Sequence, residues 1–387
     1  MPQISSTARS IPGSGIRRIF ELAAALPDVI QLSVGEPEAR VAPHILEAGA
    51  KAWQNDATNY TPNSGLLLLR FAIVTKLAEF NNYAVDEDQV HITAGGAQAL
   101  HMAMLLTLDA GDEVLIPDPG YATFAMASRL VGAVPVPYRL SADRAFIPAI
   151  DDLERLISPR TRVLLINSPS NPLGVVYGPG VLRELLDFAT RHDLWVISDE
   201  VYEYFTFEGG YTSVSSLDTS DRVFSVYSLS KTYGLTGGRI GYLVTPPGVA
   251  ITFRAAQEAI VSCVNTPAQL AAVAAIEGDQ SAIAEAREHY RGNLAAAGAA
   301  LDARGIEYYR PDGAFYLWVN VSYCSNGNVA HWAEDFLLTQ RVAVAPGSAF
   351  GAAGEGWIRL CAAGKRQPLL TALSRLPAVP AQESTSV

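Results

Sequence analysis

The sequence predicts an α/β protein whose large domain has three layers with a mostly parallel sheet, next to a smaller α+β domain. Between residues 90 and 244, short β-branched and aromatic runs alternate with segments of helical periodicity, which is the order of a parallel sheet covered by helices on both faces. After residue 305 the composition changes to apolar strand patterns around one predicted helix. With 387 residues, 49% hydrophobic and 17% charged, the chain can bury a large core and form two domains.

The helices and strands predicted before residue 305 follow from their periodicities. Helix 179–192 is typical, because Leu182, Leu185 and Leu186 recur at helical spacing, and Pro179 stands at its start, as helices prefer. The other predicted helices are 16–25, 43–53, 66–80, 98–108, 267–277 and 281–304. The predicted strands are 29–35, 90–93, 113–117, 133–136, 162–167, 194–198, 222–227 and 240–244.

The smaller predicted domain joins the two ends of the chain. Its strands are 313–321, 342–347 and 356–361, and its helix is 330–340. We expect residues 45–280 to form the large domain, residues 1–44 and 281–376 the small one, and residues 377–387 a disordered tail. Residues 1–15, rich in serine, proline and glycine, should be loosely held. Arg359 lies in an apolar strand pattern, which is costly unless an anion satisfies it; an outward-facing strand residue is the alternative.

Composition excludes several classes of function. The net charge of -11 and the pI near 5.1 argue against a nucleic-acid surface or an anionic membrane as partner. Cys263, Cys324 and Cys361 are far apart and form no CxxC pair, so the sequence supports neither a disulfide framework nor a zinc site. No signal peptide and no apolar run long enough to span a bilayer is found. We therefore expect a cytoplasmic protein without a metal.

The loop 228–241 contains an amine, two serine hydroxyls, an arginine and four glycines between two predicted strands. Lys231 is flanked by hydroxyls and not by acids, and a lysine in such a place can lose its proton and attack a carbonyl. Arg239 offers a planar fork suited to phosphate, and Ser228 and Ser230 can donate to the same oxyanion. This combination suggests a phosphorylated aldehyde as ligand. The alternative is an exposed loop lysine with an arginine that pairs with an acid elsewhere.

Glycines and polar residues also follow the ends of other predicted strands: Gly95 and Gly96, Tyr121, Asn171 and Asp199. We expect them to gather at one edge of the sheet, where α/β proteins keep their ligands. Glycines at a strand-to-helix turn expose N–H groups to an anion, and an acid that ends a buried strand needs a positive partner. Taken singly, each residue also fits a simple cap, turn or packing role.

Together these residues resemble the class I/II aminotransferases, the fold type I family that uses pyridoxal 5′-phosphate. The resemblance covers nearly the whole chain and includes the Arg359 strand. Its motifs stand at 33–37 (SVGEP), 60–65 (YTPNSG), 93–99 (TAGGAQA), 167–174 (NSPSNPLG), 198–202 (SDEVY), 230–231 (SK) and 239–241 (RIG). It implies an enzyme that moves an amino group between an L-α-amino acid and a 2-oxo acid, with 2-oxoglutarate or pyruvate as acceptor.

The resemblance also implies roles for residues around the cofactor ring. Lys231 would hold the cofactor as a Schiff base and then move the proton at the substrate Cα. Asp199 would face the pyridine nitrogen, Asn171 and Tyr202 would bond the 3′-oxygen, and Tyr121 would stack on the ring.

Further residues would take the phosphate: Gly95, Gly96 and Ala97 by their backbone, with Ser228, Ser230 and Arg239 by their side chains. Tyr60 would reach the phosphate of the neighbouring subunit, which implies a homodimer with shared active sites. Arg359 would bind the substrate carboxylate, helped by Gly35 and Asn171.

Two departures from the family pattern limit what the resemblance implies. Leu173 replaces the commoner threonine of the motif and alters only a turn. Ala97 stands where one bacterial aspartate aminotransferase branch often has a lysine that reads the distal carboxylate. Aspartate and neutral, aliphatic or aromatic amino acids are therefore all candidate donors, and Arg17 or Arg18 could serve an acidic side chain.

Other functions compete with transamination. The same fold hosts β-lyases, cyclising synthases and oxidases that act on amino acids. A ligand-sensing regulator that reuses the fold usually carries a DNA-binding domain, for which the sequence offers no room before Ile16. A dehydrogenase is disfavoured, because no GxGxxG follows a predicted strand.

Overall fold

A computed structural model describes residues 2–38 and 40–380 of the chain. Its strands, in chain order, are β1 Ile30–Gln31, β2 Val90–Thr93, β3 Glu113–Asp118, β4 Val134–Arg139, β5 Thr161–Asn167, β6 Trp195–Asp199, β7 Val223–Ser228, β8 Gly241–Val244, β9 Tyr308–Tyr309, β10 Tyr316–Asn320, β11 Val342–Ala343, β12 Ala345–Pro346 and β13 Trp357–Cys361. Its α-helices are α1 Ser6–Ser10, α2 Gly15–Ala24, α3 Pro43–Gln54, α4 Leu67–Phe80, α5 Gly96–Thr107, α6 Thr123–Leu130, α7 Ile150–Glu154, α8 Pro179–Arg191, α9 Leu229–Thr232, α10 Ala250–Ile260, α11 Thr266–Glu277, α12 Ser281–Asp302, α13 Ser322–Ser325, α14 Val329–Gln340 and α15 Arg366–Ser374.

The large sheet has seven strands in the order β2-β8-β7-β6-β5-β3-β4. Only β8 runs against the others, since its pairings with β2 and β7 are antiparallel and the remaining pairings are parallel. The predicted α/β fold with a mostly parallel sheet is thereby confirmed. Because β2, β3, β5, β6 and β7 point the same way, their carboxyl ends meet at one edge.

Both faces of this sheet are buried under helices. Along β5, Val163 and Leu165 pack into a core with α5 and α6, whereas Leu164 and Ile166 pack into a second core with α8. The alternation follows from the period of two in a strand. Fully burying each of these side chains is worth roughly 1.5–3 kcal/mol, so the two cores hold the strand ends in fixed positions.

The smaller sheet has four antiparallel strands in the order β12-β13-β10-β9. The N-terminal segment joins this part of the molecule, because β1 pairs in parallel with β11 and Ile19 and Leu32 share a core with residues of α12, α14 and α15. The predicted boundary at 280/281 coincides with the start of α12, and that at 44/45 falls in the first turn of α3. The division into two domains stays a prediction.

Some elements differ from the sequence predictions. Of the predicted strand 29–35, only β1 forms a regular strand; the backbone of Leu32 continues the pairing with hydrogen bonds to Ala343 and Cys361. The predicted strand 342–347 is divided into β11 and β12, which pair with different neighbours. Helices α6, α7, α10 and α15 were not predicted; in α15, Pro368 resembles a helix breaker but stands in the first turn, where its missing N–H costs no hydrogen bond.

Both ends of the described chain also bear on the predictions. Residues 6–10, expected to be loosely held, form the short exposed helix α1. Of the predicted tail 377–387, residues 377–380 are exposed and residues 381–387 lie outside the described residues. Within the described residues, no helix combines the length and the apolar character needed to cross a bilayer.

Candidate active site

The carboxyl edge of the large sheet brings the predicted site residues together. Gly95, Asn171 and Lys231 lie just beyond the ends of β2, β5 and β7, and Asp199 ends β6. Gly241, the first residue of the antiparallel strand β8, pairs with Thr93 and Ser228 and so brings the preceding Arg239 to the same edge. Parallel strand direction therefore explains why residues spread over 150 positions meet.

Lys231 lies on α9, the short helix that follows β7. Within residues 2–38 and 40–380 its ammonium forms no ion pair, and it donates to the carbonyl oxygen of Gly35 at 2.6 Å. Burial lowers the pKa of Lys231 to about 8, and the charges of Arg359 and Arg239 act in the same direction. The alternative of an exposed surface lysine is therefore wrong.

Asp199 is buried, with 6% of its surface exposed. Its Oδ1 accepts a hydrogen bond from the backbone N–H of Val201 at 3.4 Å, and it has no cationic partner at ion-pair distance among the described residues. Burial raises the pKa of Asp199 to about 7, although the positive charge of Lys231 lowers it. A buried carboxylate without a cation is expensive, so this residue is prepared for a positive or proton-donating ligand.

Arg359 is 2% exposed, in the middle of β13. Its Nη1 donates to Oδ1 of Asn171 at 2.8 Å and its Nη2 to the carbonyl oxygen of Ser33 at 2.5 Å, while its Nε has no partner within the described residues. The guanidinium lies between two aromatic rings, 4.4 Å from the centroid of Tyr316 and 4.8 Å from that of Phe350. The outward-facing alternative is wrong, and N–H groups remain for an anion.

One corner of the site is suited to a phosphate. Gly95 has φ +83°, and a Cβ there would stand 2.6 Å from Nη2 of Arg239, so only glycine fits between the strand and the guanidinium. Gly96 and Ala97 open helix α5, where the first N–H groups have no partner in a preceding turn. The hydroxyl of Ser230 is buried without a partner among the described residues.

These residues surround a cavity of about 570 Å³. The predicted site residues that line it are Gly35, Gly96, Ala97, Tyr121, Asn171, Asp199, Tyr202, Ser228, Ser230, Lys231, Arg239 and Arg359. Gly95 is not among the residues that line the cavity. Tyr60 is 92% exposed and is not among the residues that line this cavity.

Arg17 and Arg18, the two arginines expected to serve an acidic side chain, lie in different surroundings. Arg17 lines the cavity with its guanidinium 5.4 Å from the ring centroid of Phe20, and it has no carboxylate partner in the part of the chain that the structure describes. Arg18 points elsewhere and pairs with Glu334 on α14. Only Arg17 is placed to meet a ligand in the cavity.

Sequence reasoning missed three contributors. Tyr316 lines the cavity, and its hydroxyl lies 2.7 Å from that of Tyr202. Phe350 covers one face of Arg359, and Ser33 acts through its carbonyl oxygen. A backbone acceptor leaves no trace in a side-chain pattern, and Tyr316 stands in a strand whose first four residues are all buried, so alternation gave no signal.

The cavity fits pyridoxal phosphate, the cofactor that the sequence resemblance implies. A phosphorylated pyridine aldehyde needs an anion site, a carboxylate for its ring nitrogen and an amine for its aldehyde. The partnerless Ser230 hydroxyl and Arg239, which line the same cavity, the buried Asp199 and the low-pKa Lys231 meet these three needs.

Comparison with known proteins agrees with this geometry. The family described as "Aminotransferase class I and II" matches residues 27–376. Aromatic-amino-acid aminotransferase 2 of Thermococcus litoralis is 35% identical over 97% of this chain and 98% of its own length. Aspartate aminotransferase of Pyrococcus abyssi is 36% identical over 95% of each chain.

A solved structure, the alanine aminotransferase of Pyrococcus furiosus, superposes with a TM-score of 0.90 at 32% identity, covering 96% of this chain and 98% of that one. These relatives are all named aminotransferases, so β-lyase, synthase and oxidase activities are not favoured. The chain therefore belongs to the class I and II aminotransferases, and it is an enzyme that transfers amino groups between amino acids and 2-oxo acids with pyridoxal phosphate as cofactor.

Proposed function

We propose that amino groups move in this cavity between an L-α-amino acid and 2-oxoglutarate or pyruvate, with the Lys231 amine as the covalent attachment point. The observation that supports this is the pair formed by Lys231 and Asp199. One carries a lowered pKa and the other a raised pKa at the same cavity, and neither has an ion-pair partner among the described residues. Such oppositely shifted groups are typical of catalytic sites.

The cofactor would be held at both ends. Its phosphate would be held at the start of α5, and Tyr121 would stack on its ring. Asn171 and Tyr202 would bond the ring's 3′-oxygen. The proposed phosphate ligands are Gly95, Gly96, Ala97, Ser228, Ser230 and Arg239.

Bound pyridoxal phosphate supplies an aldehyde for bonding to amines and an electron-withdrawing ring. Asp199 would accept the hydrogen bond of the ring nitrogen, which supplies the partner that its buried carboxylate lacks. Lys231 would take the proton from the substrate's Cα and deliver it to the carbon that was the cofactor's aldehyde carbon, and its pKa of about 8 lets the amine both accept and return a proton near neutral pH.

Arg359 would bind the substrate's α-carboxylate. Its contacts with Asn171 and Ser33 take one N–H from each terminal nitrogen, and the second N–H of each and Nε–H remain available. Because the rings of Tyr316 and Phe350 lie against the guanidinium, an incoming carboxylate would meet its N–H edge, where a two-point contact can form. Gly35 and Asn171 would complete this carboxylate site.

Arg17 is our candidate for reading the distal carboxylate of 2-oxoglutarate. Ala97 offers no charge at the cavity wall, whereas Arg17 lines the cavity without a carboxylate partner among the described residues. Phe20 and Met126, which also line the cavity, would suit an apolar or aromatic donor side chain. The relatives named for aromatic amino acids, aspartate and alanine support this breadth.

We also propose a homodimer in which Tyr60 serves the neighbouring cavity. Tyr60 is exposed, and near Arg239 an apolar groove of about 550 Å³ is lined by Leu46, Trp53 and Val261, all of them exposed. A second copy would cover these side chains. We further propose a cytoplasmic role in amino acid biosynthesis, and two domains with the boundaries predicted from the sequence.

Purified protein loaded with pyridoxal phosphate tests the central proposal. We expect visible absorbance, borohydride reduction that fixes the cofactor on the peptide containing Lys231, and conversion to the amino form of the cofactor when an amino acid is added. Cofactor fixed on another lysine would overturn the assignment. Release of ammonia in place of amino transfer would overturn the reaction.

A further inference from the structure

Tyr316 connects two parts of the cavity that the proposed function treats separately. It is 1% exposed and lies at the start of β10, opposite Cys361 of β13. Its hydroxyl lies 2.7 Å from the hydroxyl of Tyr202, and its ring centroid lies 4.4 Å from the guanidinium carbon of Arg359. Tyr202 follows the large sheet, whereas Tyr316 and Arg359 belong to the small one.

The contact is enforced by the backbone beside it. A Cβ at Gly35 would stand 2.0 Å from the hydroxyl oxygen of Tyr316, so the glycine makes room for that hydroxyl. The carbonyl of the same glycine accepts the hydrogen bond of Lys231. Tyr316 therefore has little freedom to move away from Tyr202.

The direction of the hydroxyl pair follows from counting protons. Each phenol has one proton to donate. If Tyr202 donates to the cofactor's 3′-oxygen, it cannot also donate to Tyr316, so Tyr316 must donate to Tyr202. The hydroxyl of Tyr316 has no other hydrogen-bond partner among the described residues. A donor that itself accepts a hydrogen bond donates more strongly.

The ring of Tyr316 has a separate effect on Arg359. Together with Phe350 it packs against the guanidinium, and these two contacts limit how the guanidinium can turn. One side chain thus orients both the group that receives the substrate carboxylate and the hydroxyl that faces the cofactor.

We propose that Tyr316 is a positioning residue that couples the two sites: its ring aligns Arg359, and its hydroxyl strengthens the hydrogen bond that Tyr202 donates to the cofactor's 3′-oxygen. The inference rests on the proposed function, which places Tyr202 at that oxygen and the substrate carboxylate at Arg359.

The hydroxyl is tested with Tyr316→Phe in the holoenzyme, by titrating the visible absorbance with pH. A weaker hydrogen bond at the 3′-oxygen leaves more negative charge there to hold the proton on the Lys231 nitrogen. We expect the midpoint of the titration to rise by about 0.5 pH unit, a part of what a lost hydrogen bond is worth. An unchanged midpoint overturns the proposal.

Three further variants separate this role from simple packing. Tyr290→Phe is the matched control, because Tyr290 is equally buried in the same apolar cluster and its hydroxyl has no partner among the described residues; its midpoint should equal that of the parent. Tyr202→Phe should raise the midpoint more than Tyr316→Phe does. In the double variant the second change should add nothing, since the Tyr316 hydroxyl acts only through Tyr202.

The outcomes distinguish a failure of the proposed function from a failure of the proposed role of Tyr316. If Tyr202→Phe leaves the midpoint unchanged, the placement of Tyr202 at the 3′-oxygen fails. If Tyr202→Phe raises it and Tyr316→Phe does not, only the coupling role of Tyr316 fails.

The ring is tested with Tyr316→Leu, by measuring the affinity of the holoenzyme for maleate, a dicarboxylate that cannot be transaminated. Loss of the cation–π contact should weaken maleate binding about fivefold, whereas Tyr316→Phe should leave it within about twofold. Equal affinities for the leucine and phenylalanine variants would remove the ring from the proposal. The spectral test with Tyr316→Phe keeps the ring and does not depend on how the leucine variant folds.

Discussion

Two neighbouring groups of buried charged side chains differ in how many hydrogen-bond and ion-pair partners the protein supplies to them. The closed cluster consists of Lys76, Glu200 and Glu203. Lys76 pairs with Glu203 and lies against aromatic rings, and Asn81 donates to the other oxygen of Glu203 at 2.7 Å. Glu200 accepts hydrogen bonds from Ser198 and Ser213 at 2.8 Å, Tyr227 at 3.0 Å, Val214 N–H at 3.2 Å and Tyr211.

In the cavity, by contrast, the buried charged side chains have few partners. Asp199 precedes Glu200 in the chain, yet among the described residues its carboxylate accepts only the weak 3.4 Å bond from Val201, and Lys231 donates to a carbonyl and not to an acid. Burial alone raises the pKa of both Asp199 and Glu200 and lowers that of both lysines. Burial therefore does not identify a functional group; the missing partner does.

The largest effects are expected when each of the two buried lysines is replaced in turn. Lys231→Ala should reduce turnover more than about a thousandfold, because covalent attachment and proton transfer are lost together. Lys76→Met should retain turnover per folded molecule but lose about 3–5 kcal/mol of unfolding free energy, since Glu203 remains buried without its cation. Steady-state rates and chemical denaturation measure the two effects. An active Lys231→Ala enzyme would contradict the catalytic role of Lys231.

The neighbouring acids provide the second test. Asp199→Asn should reduce turnover about a hundredfold, as loss of one charge that stabilises the transition state does, and should leave the apoenzyme at least as stable as the parent. Glu200→Gln should lose roughly 1–3 kcal/mol of stability, because its hydroxyl donors lose an anionic acceptor. If Asp199→Asn destabilises the apoenzyme more than Glu200→Gln does, the assignment of roles is reversed.

A smaller effect is expected when two arginines, one inside the cavity and one outside it, are each replaced by lysine. Arg359→Lys should raise KM for the amino acid roughly tenfold to a hundredfold, because an ammonium cannot make the two-point contact with a carboxylate. Arg18→Lys is the control, since Arg18 forms an ion pair with Glu334 and is not among the residues that line the cavity. Its KM should equal that of the parent. A KM that responds equally to both changes would remove Arg359 from the carboxylate site.

The pH dependence of apoenzyme stability tests Asp199 directly. Its pKa rises from 3.8 to about 7 on folding, so between these values the folded state binds more protons than the unfolded state. The contribution of Asp199 is fully present below pH 3.8 and is lost as the pH rises through about 7. The stability of the parent relative to Asp199→Asn should therefore fall over this interval. Parallel stability curves for the two proteins would contradict the raised pKa.

The smallest expected effect concerns the exposed Arg17. Arg17→Met should raise KM for 2-oxoglutarate about twofold to fivefold, as an exposed ion pair allows, and should leave KM for pyruvate unchanged. The difference between the acceptors should shrink in high salt, because exposed charges are screened. An equal change for both acceptors would assign Arg17 to packing against Phe20 and not to the distal carboxylate.

Much of the fold and the cofactor corner could be predicted because local patterns determine them. Strand periodicity placed Asp199 at a strand end and Gly95 at a strand-to-helix turn, and parallel order brought them together. The partners of Arg359 could not be predicted in the same way. Ser33 contributes a carbonyl, and Phe350 and Tyr316 reach the guanidinium only through pairings between distant strands. Helix α10 was missed because it buries only Phe253 and Gln257, too few for an apolar stripe.

The pairing of β1 with β11 has a consequence for how the enzyme is made. The residues that a chain is proposed to place around the phosphate and the ring of its own cavity lie between positions 95 and 239, so a ribosome has supplied all of them about 100 residues before it reaches β11. Ser33 and Gly35 are synthesised early but wait for β11 and Arg359 from the last fifty residues. The nascent protein would thus contain the cofactor residues proposed for its own cavity well before it contains the proposed carboxylate site.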